Sequence, residues 1–117
     1  MARIFDTRKS TLALRNRKRF LLSQIRARPD CLRASVVERY SVCGKANCHC
    51  HHGGEKHGPF YYLTQCLAAG KINKFLLKTP VQQQAAKTGI DHYRQLQEQL
   101  EELSQINAEL LRREEKL

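Results

Sequence analysis

Residues 43–63 read CGKANCHCHHGGEKHGPFYYL and hold three cysteines and four histidines within their first fifteen positions. The spacing C-x4-C-x-C-x6-H runs from Cys43 through Cys48 and Cys50 to His57 and offers three thiolates and one imidazole. Zinc prefers this kind of tetrahedral donor set, and four protein ligands leave no open position for water. We therefore predict one zinc ion with a structural role.

Three further histidines in the same loop are alternative fourth ligands. His49, His51 and His52 flank Cys50, whereas His57 is followed by Gly58-Pro59, which fixes the exit of the chain from the loop. We prefer His57 and expect the other three to face solvent. The spacing leaves open two alternatives, which are another metal ion or a metal cluster, and cysteines that only pack.

The segments on both sides of this loop have the composition of β-strands. Residues 35–42 (SVVERYSV) are rich in β-branched and aromatic types and lead directly into Cys43. After the loop, residues 60–64, a turn at 68–70 and the alternating residues 71–78 predict a hairpin. Together these segments predict a three-stranded antiparallel meander.

The first part of the chain predicts a basic helix. Residues 7–28 are strong helix formers, and Pro29 ends the run. Leu14, Leu21 and Ile25 form an apolar stripe at helical spacing. The helix therefore has one face for packing and one for anions.

The last part of the chain predicts a long helix with a leucine-zipper pattern. It starts at about residue 88, and we expect Gly89 to separate it from a shorter helical turn after Pro80. Asn107 at an a position is typical of parallel dimers, because two amides can bond to each other across the seam. Ile106 and Leu111 widen the apolar band, so docking on the same chain, a larger bundle and a different partner stay open. The heptad residues expected to mediate dimerisation are Tyr93, Leu96, Leu100, Leu103, Asn107 and Leu110.

These elements predict an α+β fold with a basic N-terminal helix, a small zinc-stabilised three-stranded antiparallel meander and a long C-terminal coiled-coil-like helix. The corresponding segments are residues 1–30, 31–80 and 81–117. A hydrophobic core alone seldom stabilises a module as short as the middle segment. We therefore expect metal binding to be coupled to folding.

The charge of the chain favours an anionic partner. The formal net charge is +10, and residues 1–28 hold nine Lys or Arg against a single acidic residue. From Ile90 onward, seven acidic residues face four basic ones. Guanidinium groups can bind phosphate through two N–H donors, so we expect nucleic acid, DNA or RNA, as the partner. The residues expected to contact its backbone are Arg15, Arg17, Lys18, Arg19 and Arg26.

The aromatic run Phe60-Tyr61-Tyr62 has two interpretations. Beside a basic hairpin it could form a stacking platform for unpaired bases, since every base has a π face. Aromatic residues in a short strand more often pack a small core or shield a metal, and we favour that interpretation here.

Targeting and catalytic signals are missing from the sequence. No apolar signal core lies near Met1, and no stretch approaches the length of a membrane span. We therefore expect a cytoplasmic protein, nucleoid-associated if bacterial, with reduced thiols and no membrane partner. Without a paired-carboxylate motif or a phosphate-cradling glycine loop, we expect neither an enzyme nor a small-molecule substrate.

Several motifs together carry a family resemblance. They are Val37-Glu-Arg-Tyr40, Cys43-Gly-Lys45, Cys48-x-Cys50, residues 57–63 and the leucine-rich C-terminal helix. Through them the chain resembles, over about residues 10–113, a family of small, mostly bacterial and phage-borne proteins of unknown function. Members typically read CGKxxCxC followed by HGPYYY, so Phe60 replaces a frequent tyrosine. The resemblance supports the same four metal ligands, and its association with phages and mobile elements favours a nucleic-acid role.

The function that these features favour is zinc-stabilised, non-enzymatic binding of nucleic acid by a dimer, as a regulator or accessory factor of a phage or mobile element. The alternative is a protein–protein adaptor that docks through its acidic C-terminal helix. A metal-dependent nuclease is disfavoured because it would need one of the four ligands to give way to water.

Overall fold

The computed structural model describes residues 2–117, which form two α-helices and one three-stranded sheet. The elements are α1 Thr11–Arg26, β1 Ser35–Ser41, β2 His57–Cys66, β3 Ile72–Leu76 and α2 Pro80–Arg112, with short 3-10 turns at His49–His51 and Ala68–Gly70. The strand order β1-β2-β3 with antiparallel pairing is the predicted meander. The α+β fold class is thus confirmed.

Helix α1 begins at Thr11, whereas the sequence pattern predicted a start at residue 7. The side chain of Asp6 accepts a hydrogen bond from the backbone N–H of Arg8 at 2.9 Å, which holds this segment in a turn. Ser10 then caps the helix, because its hydroxyl oxygen accepts from the N–H of Ala13 at 3.1 Å. Local side-chain bonds therefore decide the start of the helix.

Helix α2 is continuous through Gly89, so the predicted separation at this residue is wrong. The helix begins with a capping box in which Thr79 accepts from the N–H of Gln82, and Gln82 accepts from the N–H of Thr79. A glycine inside a helix costs only about 1 kcal/mol relative to alanine, too little to break a helix of this length. Gly89 is buried, and its carbonyl also accepts from the N–H of Leu32 at 2.9 Å.

The contacts group the chain into two compact units, whereas composition had suggested three consecutive segments. The terminal unit combines the residues up to Cys31 with Asp91–Leu117, and the central unit is Leu32–Ile90. In the terminal unit, two leucines of α1 and two residues of α2 form a fully buried cluster. These residues are Leu14, Leu21, Ile106 and Leu110.

The central unit has a small core on one face of its sheet. Leu63, Leu77 and Ala86 are buried there, and Val36 and Tyr61 pack partly against them. The register pairs Val36 with Leu63, which places both side chains on this inner face. A core cluster with only three buried hydrophobic residues is small for a unit of this size, so further stabilisation has to come from elsewhere.

Among residues 2–117, no helix combines the length and the apolar character needed to cross a membrane.

Candidate metal centre

Four potential ligand atoms come together where β1 ends and β2 begins. Cys43 follows β1, His57 opens β2, and Cys48 and Cys50 lie in the loop between the two strands. The four atoms all lie within 4.8 Å of one another. The structure thus brings together the same four residues that the spacing singled out.

The separations fit a tetrahedral metal site. The Sγ atoms of Cys43 and Cys50 are 3.7 Å apart, and the Sγ of Cys48 lies 3.4 Å from Nε2 of His57. With metal–sulfur bonds of about 2.3 Å and metal–nitrogen bonds of about 2.0 Å, tetrahedral geometry requires about 3.8 Å and about 3.5 Å for these two edges. The four ligand atoms are therefore spaced as the four ligands of one tetrahedral metal ion would be.

Two glycines allow the loop to close tightly around this cluster. A Cβ atom on Gly54 would overlap the imidazole and the carbonyl of His49, and one on Gly58 would lie 2.9 Å from the carbonyl oxygen of Arg39. Gly58 also has a φ of +141°, which side-chain-bearing residues rarely adopt. Only glycine lets the chain pass these two points.

The surroundings shift the pKa values of two of the thiols in opposite directions. The pKa of Cys48 is lowered to about 6, first by the backbone N–H of Cys50 and then by the imidazole of His57. Burial raises the pKa of Cys50, while the backbone N–H of Cys43, 3.4 Å from its sulfur, opposes that rise. Cys50 is only 6 % exposed, so a metal ion would also compensate the cost of burying its thiolate.

The other loop histidines make different contacts. Nε2 of His51 lies 2.6 Å from the carbonyl oxygen of Cys43, and Nε2 of His52 lies 3.1 Å from that of Ala46. A carbonyl only accepts, so these nitrogens are the donors and are directed at the backbone. His51 thereby holds the peptide group of a ligand residue, a supporting contact that the spacing alone did not reveal.

Three of the five predicted phosphate-binding residues bond to other groups of the terminal unit. Arg17 makes a bidentate pair with Glu102, with bonds of 2.5 and 2.9 Å. Arg15 lies 3.4 Å from Glu115, and Lys18 donates to a backbone carbonyl near the end of the chain at 2.8 Å. These contacts link residues about a hundred positions apart, so no local sequence pattern signals them.

The remaining two basic residues of the predicted set stay exposed. Arg19 and Arg26 form no ion pair within residues 2–117. They are seven positions apart on α1 and therefore lie close to one face of the helix.

The predicted dimerisation residues divide into two groups. Leu110 is fully buried against α1, and Leu103 packs partly on the same cluster. Tyr93 and Leu96 are half-buried. In contrast, Leu100 is 48 % exposed, and the buried Oδ1 atom of Asn107 has no hydrogen-bond partner within residues 2–117. Dimerisation stays a prediction.

Comparison with known proteins gave a family match. A family model described as "Domain of unknown function (DUF6788)" matches residues 12–72. The comparisons with curated proteins and with solved structures returned no match. The family match spans about half of the chain. It covers nearly all of α1, strands β1 and β2, the first residue of β3 and all four residues of the metal cluster. The chain therefore belongs to this family of proteins with a domain of unknown function.

Proposed function

We propose that this protein binds nucleic acid without catalysing a reaction, and that its central unit, stabilised by one zinc ion, carries the binding surface. The supporting observation is the free positive charge of this unit. It has eight Lys or Arg against Glu38 and Glu55, and all eight are exposed. The eight residues are Arg33, Arg39, Lys45, Lys56, Lys71, Lys74, Lys78 and Lys87.

The ion pairs leave this charge uncompensated. Each of the seven ion pairs among residues 2–117 joins two residues of the terminal unit. Six of the thirteen Lys and Arg residues of the terminal unit form ion pairs within residues 2–117, whereas all eight of the central unit face solvent without one. Exposed, unpaired cations attract phosphates and release counterions when they bind. Arg19 and Arg26 on α1 can add to the same attraction.

Zinc is the metal that we assign to the cluster. Three thiolates and one imidazole are typical of structural zinc sites, and four protein ligands leave no position for a substrate or an activated water. This closed coordination is the reason to propose a binding protein in place of an enzyme. We infer that the ion stabilises the sheet that presents the basic residues.

The resemblance to phage-borne proteins extends the proposal to a biological setting. We infer an accessory factor or regulator of a phage or mobile element that acts on DNA or RNA in the cytoplasm.

Binding to labelled nucleic acid across a salt series tests the proposal. We compare two variants that each replace four cations by Gln and so change the net charge equally. The central variant changes Arg39, Lys71, Lys74 and Lys78, and the control changes Arg8, Lys9, Arg94 and Lys116. We expect the central variant to lose affinity and to reduce the slope of log K against log salt by about 0.7 to 0.9 for each phosphate contact. The control should bind as the wild type does.

Two results would contradict the proposal. Absence of binding to duplex DNA, single-stranded DNA and structured RNA would reject it entirely. Equal losses in both variants would show that net charge alone attracts nucleic acid. A third variant, Arg19→Gln with Arg26→Gln, measures the contribution of α1.

The second candidate function is a protein-binding adaptor, and the exposed apolar residues of α2 favour it. Leu100 and Leu111 are 48 % and 60 % exposed and border the same shallow groove as Asn107. Such residues on one side of a helix are typical of a helix that docks on another protein.

A further inference from the structure

The sheet of the central unit has a face opposite its core, and the pairing register shows which residues lie on it. Along a strand, alternate side chains point to opposite faces. Val36, Tyr61 and Leu63 lie on the inner face, where they contact the core. The residues between them in sequence point the other way, and cross-strand pairs align Val37 with Tyr62 and Arg39 with Phe60.

This outer sheet face combines two aromatic rings with two cations. On β3, Lys74 pairs with Thr64 and so lies on the same face. We define the outer sheet face by six residues, which are Val37, Arg39, Phe60, Tyr62, Thr64 and Lys74.

The aromatic rings of this face are not part of the core. The buried cluster of the central unit draws its strand residues from the inner face, and neither Phe60 nor Tyr62 belongs to it. Both residues are half-buried, so part of each remains accessible to solvent. The Nζ atom of Lys74 lies 5.0 Å from the centre of the Tyr62 ring in a cation–π contact, so a base that stacks on this side of the ring takes the place of the ammonium group.

The charges of the face are complementary to a polyanion. Arg39 lies on β1 beside Phe60, and Lys74 lies on β3, so exposed cations flank the aromatic strand β2 on both sides. None of the six residues is acidic. The carboxylate of Glu38, on the opposite face, accepts a hydrogen bond from the hydroxyl of Tyr40 at 2.9 Å. A phosphate backbone along this face would meet no repulsive group among these residues.

We propose that the outer sheet face binds unpaired bases of single-stranded nucleic acid, with Phe60 and Tyr62 as stacking surfaces and Arg39 and Lys74 as phosphate contacts. This inference rests on the proposed function and names its ligand class. Bases inside a duplex are stacked on each other and present only their edges, whereas bases of a single strand expose the flat faces that aromatic rings bind.

The test measures fluorescence anisotropy of the zinc-loaded protein with a labelled single strand and with the same sequence as a duplex. We expect tighter binding to the single strand, and a loss of roughly tenfold for Phe60→Leu and for Tyr62→Leu, since each removes one stacking surface. Phe75→Leu is the matched control, because Phe75 is 47 % exposed but pairs with Leu63 and so lies on the inner side. It should bind as the wild type does.

A second readout keeps the test valid if a leucine variant folds poorly. The chain has four tyrosines and no tryptophan, so stacking on Tyr62 should quench a measurable part of the tyrosine fluorescence. Tyr62→Phe should keep the affinity and lose that part of the quenching. Preference for the duplex, or wild-type binding by folded Phe60→Leu and Tyr62→Leu proteins, would overturn the inference while leaving nucleic-acid binding intact. No binding of either probe would overturn both.

Discussion

Glu109 shows how a single buried charge can stabilise the terminal unit. Its side chain is 2 % exposed and accepts hydrogen bonds from Arg112 and Arg113 at 2.6 to 3.0 Å. Arg113 in turn donates to the carbonyl oxygens of Thr7 and Lys9. The ion pair of Glu109 and Arg113 thereby connects α2 to the segment before α1. Removing either arginine would leave the buried carboxylate of Glu109 with fewer hydrogen bonds.

The stability of the terminal unit should therefore depend on pH through Glu109. Hydrogen bonds from Arg112 first, and then from Arg113, lower the pKa of Glu109 from 4.5 to about 2. A lowered carboxyl pKa stabilises the fold above the ordinary value of 4.5, and this contribution is lost as the pH falls toward 2. We expect Glu109→Gln to lower the Tm at neutral pH, and the difference from wild type to shrink across this window.

Circular dichroism of the helices during thermal unfolding at several pH values measures this effect. Glu98→Gln is the matched control, because Glu98 is exposed and has no ion pair within residues 2–117. A Tm difference that stays constant between neutral and acid pH would show that Glu109 acts through packing alone.

At the level of helices and strands, features encoded within a few residues could be predicted from the sequence. The ligand spacing and the β-rich segments on both sides of it are local, and the structure has both where they were expected. The start of α2 is also encoded locally, in the capping box of Thr79 and Gln82, and the helical turn expected after Pro80 begins there; only the separation at Gly89 was wrong.

Features that join distant residues could not be predicted in this way. A heptad pattern shows that Leu110 needs a partner but does not show which helix supplies it, and here α1 does. Likewise, alternation shows that Phe60 and Tyr62 share a face, but only the register with β1 and β3 places Arg39 and Lys74 beside them. Such pairings depend on tertiary packing, which overrides local preference.

Helix α2 retains an apolar side that α1 does not cover, and this side makes self-association testable. Leu100 and Leu111 lie along it and border the same shallow groove as Asn107. A single Asn at an a position of a leucine-rich helix is typical of parallel dimers. We expect the wild-type protein to sediment as a dimer, and Leu100→Glu combined with Leu111→Glu to sediment as a monomer because like charges would meet.

Leu12→Glu is the control for this experiment. Leu12 is a 66 % exposed leucine on α1, so its replacement changes surface charge without touching the apolar side of α2. A wild-type protein that sediments as a monomer over the whole concentration series would contradict self-association and favour a different partner for α2.

The two units of the chain are stabilised in different ways, and this difference gives the last prediction. Of residues 2–117, the terminal unit has a fully buried leucine and isoleucine cluster and all seven ion pairs, but no residue of the metal cluster. The central unit has three buried hydrophobic residues at its core and all four potential ligands. Structural zinc can contribute on the order of 10 kcal/mol to folding, which is comparable to the whole net stability of a small domain.

Chelation of zinc should therefore unfold the central unit and leave the terminal unit folded. Hydrogen exchange measured by mass spectrometry should show loss of protection in β1, β2 and β3, with protection retained in α1 and in the part of α2 after Asp91. Cys50→Ser should reproduce this pattern without a chelator, whereas Cys66→Ser, which changes an exposed cysteine outside the cluster, should not. Protection that survives in the strands after complete metal removal would mean that the small core suffices, and that the four ligands serve a purpose other than folding.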